Sequence, residues 1–168
     1  MMNSIDVNKQ KLIDEILELK KKRNAIIVAH YYQNDDIQAV ADIVGDSYLL
    51  AKKCAESDAD VICFCGVHFM AESAKILSPE KTVIIPDETA GCRMADMIDA
   101  DELKAFKKQH PGAKVMCYIN TTAEVKAESD VSVTSSNAVK IAENFDAEEI
   151  LFVPDKNLGS YIAAQVPS

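Results

Sequence analysis

A chain of 168 residues, 48% hydrophobic and 27% charged, has the balance of one folded domain or two small ones rather than of a disordered segment. Its formal net charge of −9 argues against a binder of nucleic-acid phosphates, which needs a basic face. The N-terminus lacks the apolar stretch of a secretory signal, and the longest apolar run, VICFCGVHFMA, is too short to cross a bilayer. No nucleic-acid or membrane partner is therefore expected. Five cysteines without a small disulfide scaffold fit a reducing, cytoplasmic setting.

In chain order, Leu12, Ile13, Ile16, Leu17 and Leu19 among charged residues predict an amphipathic helix over 5–23. The basic run Lys20 to Arg23 complements that helix's dipole. AIIVAHYY reads as a buried parallel strand, followed by helical patterns in DIQAVADIV and YLLAKKCAES. VICFCG is the next strand, FMAESAKIL a helix stopped by Ser78-Pro79, and TVIIPD a strand. Helices are expected in RMADMI, after Cys92, and over 101–109, before the turn His110-Pro111-Gly112. The pattern then restarts with the strand AKVMCYIN, and Thr121 to Glu124 has the spacing of a capping box ahead of EVKAES. VSVTSS is a strand, NAVKIAENF a helix, EEILFVPD a strand and NLGSYIAAQ the start of a helix. This alternation predicts an α/β fold of Rossmann-like three-layer modules with parallel sheets.

The chain also repeats itself. PDETAGCRMA at 86–95 returns as PDKNLGSYIA at 154–163, and Ser47 follows His30 at the interval by which Ser135 follows Tyr118. Two related modules are inferred, 1–111 and 112–168, the second apparently truncated.

Ligands of open parallel sheets bind beyond the carboxyl ends of the strands. Those ends carry His30, Tyr31 and Tyr32; Cys65; Asp87 and Cys92; Tyr118 and Asn120; Ser135; and Asp155. Ser47 and Ser135 precede helical patterns, where a serine is first of all an N-cap. Two in equivalent places can also present hydroxyls to a carboxylate or phosphate. For His30, a buried structural role and a substrate-binding one are both open. Neither nucleotide phosphate-loop pattern is present. Cys54, Cys63, Cys65 and Cys117 read as small core residues; two neighbouring thiols on one strand do not make a metal site. Cys92 differs, because it lies in a loop beyond a strand end where a helix is expected to begin, a place that favours the thiolate. It is read as a nucleophile or a ligand of a soft metal.

AHYYQ, GDSYLLAK, CGVHFMAESAKIL, PDETAGCRMAD, YINTTAEVKAESD, TSSNA and VPDKNLGSYIA resemble, in order and over nearly the whole chain, the first part of the quinolinate synthase family. The resemblance implies three related modules about a pseudo-threefold axis with the active site at their junction, the third absent here. It implies a 4Fe-4S cluster held by three cysteines, of which Cys92 matches the first, with the open iron acting as a Lewis acid. It implies condensation of iminoaspartate with dihydroxyacetone phosphate to quinolinate, and L-aspartate oxidase as a partner. By the same match His30 and Tyr32 are catalytic and substrate-contacting, and Ser47, Tyr118, Asn120 and Ser135 bind substrate. Two rival readings are a non-catalytic module for a small anion and an enzyme with Cys92 as nucleophile and His30 as base.

Overall fold

The structure, a computed structural model, describes the backbone of residues 4–166. The expectations that concern Met1 to Asn3 and the ending at Ser168 lie outside the described residues. The chain divides into two compact units, Met1–Ala90 and Gly91–Ser168.

The first unit runs α1 (Ser4–Lys22), β1 (Ala25–His30), α2 (Asp35–Val40), β2 (Ile43–Gly45), α3 (Ser47–Glu56), β3 (Val61–Cys65), α4 (His68–Leu77) and β4 (Thr82–Ile84). Its sheet is parallel throughout, in the order β2-β1-β3-β4. The last four residues of β1 are buried without alternation, because helices cover both faces of a parallel sheet. One face carries Ile27, Ala29, Cys63 and Cys65 against Ile16 of α1 and Ile37 of α2. By strand alternation, Val28, Ile62 and Phe64 point the other way, and all three are fully buried.

The second unit runs α5 (Ala100–Gln109), β5 (Lys114–Tyr118), α6 (Ala123–Ala127), β6 (Val131–Val133), α7 (Ala138–Glu143), β7 (Ile150–Val153) and α8 (Lys156–Gln165). Its parallel sheet has the order β6-β5-β7. One face joins Leu103 of α5 and Val125 of α6 to Val115, Cys117, Leu151 and Val153. The other joins Met116 and Val133 to Ala138, Ala142 and Ile162 of α7 and α8. Each unit is thus a Rossmann-like three-layer α/β module.

The two units repeat with one constant interval. Ile27 N–H donates to the Asp42 carboxylate at 2.8 Å, and Val115 N–H donates to the Asp130 carboxylate at 2.7 Å. Tyr31 N–H bonds to Gly45 O, and Ile119 N–H bonds to Val133 O. Asn34 caps α2 and Thr122 caps α6, each accepting from the amide three residues on. Every one of these pairs lies 88 positions apart (27 and 115, 42 and 130, 34 and 122), as do α4 and α8. The aspartate at the head of each edge strand fixes its register on the central strand. Asp130→Ala is expected to cost about 1.5 kcal/mol, read as a lower denaturant midpoint with an unchanged slope.

Three expectations are corrected by this frame. The two PD phrases are not counterparts: Pro86-Asp87 follows the fourth strand of its sheet, whereas Pro154-Asp155 follows β7, the counterpart of β3. Both aspartates turn the chain, Asp87 by accepting from Thr89 and Asp155 by capping α8, which explains the shared wording. Second, the module boundary expected at 111–112 falls instead between Ala90 and Gly91, since α5 buries Leu103 in the second unit's core. Third, DIQAVADIV is not one helix; α2 ends at Val40 and Ile43–Gly45 is the edge strand β2.

Candidate functional site

In the first unit, His30 ends β1 opposite Gly45 and is only 6% exposed. Its ring lies against Tyr31 and Tyr32, with centroids 4.3 and 4.0 Å away. Gln33 N–H returns to His30 O at 2.9 Å, and this turn brings Tyr32 back over the histidine. Tyr32 N–H donates to His30 Nδ1 at 3.4 Å, so the neutral ring carries its proton on Nε2. Burial holds the His30 pKa below its ordinary value, and the nearby Asp46 carboxylate only partly opposes this. His30 is therefore neutral at neutral pH, with Nε2–H as the donor it can offer. The Tyr32 hydroxyl reaches Met70 Sδ at 3.8 Å, while half of the residue stays exposed.

Ser47 does not cap α3 as the sequence suggested. It is the first helical residue, and the cap is Asp46, whose carboxylate accepts from Leu49 N–H at 2.8 Å. The half-buried Ser47 hydroxyl has no hydrogen bond among the described residues.

In the second unit, Tyr118 ends β5 opposite Val133. The following turn is fastened by Thr121, fully buried, whose Oγ1 and N–H both donate to Tyr118 O at 3.0 Å. Thr122, not Thr121, is the helix cap, and the reciprocal capping box lies elsewhere, between Asp99 and Glu102. Asn120 leaves this turn with its Nδ2 directed at Cys92 Sγ, 4.0 Å away. Ser135 stands exposed in the turn before α7, again not as a cap. That turn is set by Thr134 N–H donating to Asn137 Oδ1 at 2.8 Å and by a 2.9 Å contact between the Thr134 and Ser136 hydroxyls. His30 and Tyr118, Tyr32 and Asn120, and Ser47 and Ser135 are all pairs with the repeat's 88-residue interval. Asp46, which caps the helix at Ser47, was missed, and Thr121 was read as the start of a capping box rather than as the fastening of its turn; each stands in an Asp-Ser or Thr-Thr doublet, of which only one member caps.

Cys92 lies in a loop ahead of a single 3-10 turn, Ala95–Met97, where a helix was expected. The first α-helix after it is α5, so the helix start expected at the thiol is absent. Among the described residues no group of three or more His, Cys, Asp or Glu side chains is placed to hold a metal ion. A 4Fe-4S cluster takes several thiolates, and Cys92 with an amide neighbour does not make that donor set. Also among the described residues, no helix is long and apolar enough to cross a membrane.

Fold and site together define a repeated parallel α/β protein with hydrogen-bonding groups at matching strand ends. Residues 14–168 match the quinolinate synthetase A protein family (NadA), and the chain belongs to it. It is 59% identical to the quinolinate synthase of Caldicellulosiruptor saccharolyticus over 158 residues, 94% of this chain and 52% of that protein. It is 55% identical to that of Alkaliphilus metalliredigens over 96% of this chain and 53% of the relative. With that of Clostridioides difficile it shares 60% over 91% of this chain and 50% of the relative. The chain spans about half the length of the curated relatives it matches.

Proposed function

We propose that this chain is the N-terminal part of a quinolinate synthase, which condenses iminoaspartate with dihydroxyacetone phosphate to quinolinate in NAD biosynthesis, releasing phosphate and water. The observation that carries the reading is the matched placement of His30, Tyr32 and Ser47 in one repeat and Tyr118, Asn120 and Ser135 in the other, within a chain of this family. Both substrates are anions. The Ser47 and Ser135 hydroxyls, without hydrogen bonds among the described residues, are free to donate to carboxylate or phosphate oxygens. The phenol of Tyr118 and the amide of Asn120 add further donors. His30 Nε2–H donates to a substrate oxygen as charge develops on it, and the Tyr32 hydroxyl moves or holds a proton beside it.

Cys92 is the one thiolate this chain offers to the family's cluster, which supplies Lewis-acid chemistry when bound. A third module and the remaining cluster ligands belong to polypeptide outside these residues. A cytoplasmic location and L-aspartate oxidase as the source of the unstable imine go with this reading.

The test uses the protein as its own cell makes it, purified without oxygen and given dihydroxyacetone phosphate with iminoaspartate generated in situ. Quinolinate and phosphate should appear in equal amounts. Binding of dihydroxyacetone phosphate with no quinolinate formed would move the non-catalytic anion-binding module to the front.

A further inference from the structure

A short turn follows the central strand of each sheet, carrying Tyr31 and Tyr32 between β1 and α2 and Ile119 and Asn120 between β5 and α6. Carbonyls in such turns lie outside the helix and sheet ladders and need donors from elsewhere. In the first unit Gln38 supplies them. Its side-chain amide folds back from α2 and donates through Nε2 to Gln33 O at 2.7 Å and to Tyr31 O at 3.0 Å. In the second unit Lys126 reaches back from α6 in the same way, and its ammonium donates to Thr121 O.

Donor and acceptor both obey the repeat: Gln38 and Lys126, like Gln33 and Thr121, are 88 positions apart. Each donor follows its helix cap, Asn34 or Thr122, by four residues, and each accepting residue immediately precedes that cap. The same turns also close through the backbone, with Gln33 N–H donating to His30 O and Thr121 N–H to Tyr118 O. One bond is thus made twice at one place in the fold, once by an amide and once by an ammonium. The two groups share N–H donors on a flexible stem and do not share charge. Packing does not ask for either residue, because the neighbouring Ile37 and Val125 make the contact of each helix with its core.

We propose that Gln38 and Lys126 are positioning residues, which hold the turns that present Tyr32 and Asn120 to substrate. This rests on the reading of those two residues under the proposed function. Gln38 and Lys126 act by donating to turn carbonyls, and the charge of Lys126 is incidental to that task. A turn that loses its donor keeps its backbone closure but gains freedom, and the side chain it carries drifts from the place where it meets substrate.

The experiment compares the protein as its own cell makes it with Gln38→Met, Lys126→Met and Lys126→Gln, each checked for folding by far-UV circular dichroism. Methionine keeps an apolar stem and removes the donor. Quinolinate formation is measured beside hydrogen–deuterium exchange of the segments 30–34 and 118–122. Gln38→Met should speed exchange in the first segment, and Lys126→Met in the second. Each should lower kcat/KM by about 10–100-fold, since a displacement of about 1 Å can cost 10²-fold. Lys126→Gln should restore both readouts, because a glutamine already does this work at the equivalent place. The Lys126 variants decide the matter if Gln38→Met does not fold. A parent protein that forms no quinolinate would refute the proposed function, and exchange would still decide whether the two side chains hold the turns. Unchanged exchange in either methionine variant, or unchanged kcat/KM in a variant whose turn has loosened, would overturn the assignment. So would a Lys126→Gln protein as impaired as Lys126→Met, which would give the role to the charge.

Discussion

Leu103→Ala should destabilise the second unit by about 3 kcal/mol. Leu103 is fully buried and is the α5 contribution to the cluster of Val115, Cys117, Val125, Leu151 and Val153. Truncating it removes the transfer free energy of three carbons and leaves a void between α5 and β5. The short elements around it relax poorly, because β5 is held by β6 on one side and β7 on the other. Amide exchange should localise the damage. Val115 to Cys117 should lose protection, while Val28 and Ala29 in the first unit keep theirs. Equal loss in both units, or a cost under about 1 kcal/mol, would mean that α5 does not belong to the second core.

His30→Asn should lower kcat/KM for quinolinate formation by about 10²–10³-fold, the usual scale for a lost donor to developing charge. This rests on the proposed reaction and on the burial that lowers the His30 pKa. Since burial depresses the folded-state pKa, the unfolded chain binds the proton first as pH falls. The favourable contribution of neutral His30 is thus complete above the ordinary histidine pKa of about 6.5 and is lost as pH falls from there through the lowered folded value. Protonation also removes Nδ1 as acceptor for Tyr32 N–H. Activity and stability should therefore both decline on the acid side in the parent protein, and the decline should flatten in His30→Asn. An acid limb unchanged in the variant would assign it to another group.

Much of this was legible in the sequence because parallel α/β folds write buried strands as unbroken apolar runs. AIIVAH, VICFC, KVMCY and ILFV are all strands within a residue or two of where they were expected. The edge strand β2 was not legible: three residues, IVG, are too few to show a period and continue a helical pattern smoothly. Its counterpart was expected as VSVTSS, but the strand ends at Val133, where the turn from Thr134 to Asn137 begins. The constant interval between Asp42-Ile-Val and Asp130-Val-Ser would have exposed it. The interval between His30 and Tyr118 pointed to that repeat, while the PD phrases pointed to a false one, since a proline-aspartate turn serves wherever a strand must end. Helix caps were misassigned for a related reason. Asp46 and Ser47 are both good caps, and only the backbone geometry chooses between them. At Cys92 the pattern RMADMI carried too few residues to distinguish a helix from a single 3-10 turn.

In the proposed function, matching strand ends of the two repeats bind the anionic substrates. It is tested most directly by titrating dihydroxyacetone phosphate into the isotopically labelled chain and following its backbone amides by nuclear magnetic resonance. Saturable shifts are expected at His30 to Tyr32 and Asp46 to Ser47 in the first unit, and at Tyr118 to Asn120 and Thr134 to Asn137 in the second. Saturable shifts confined to other surfaces, or none at all, would contradict it.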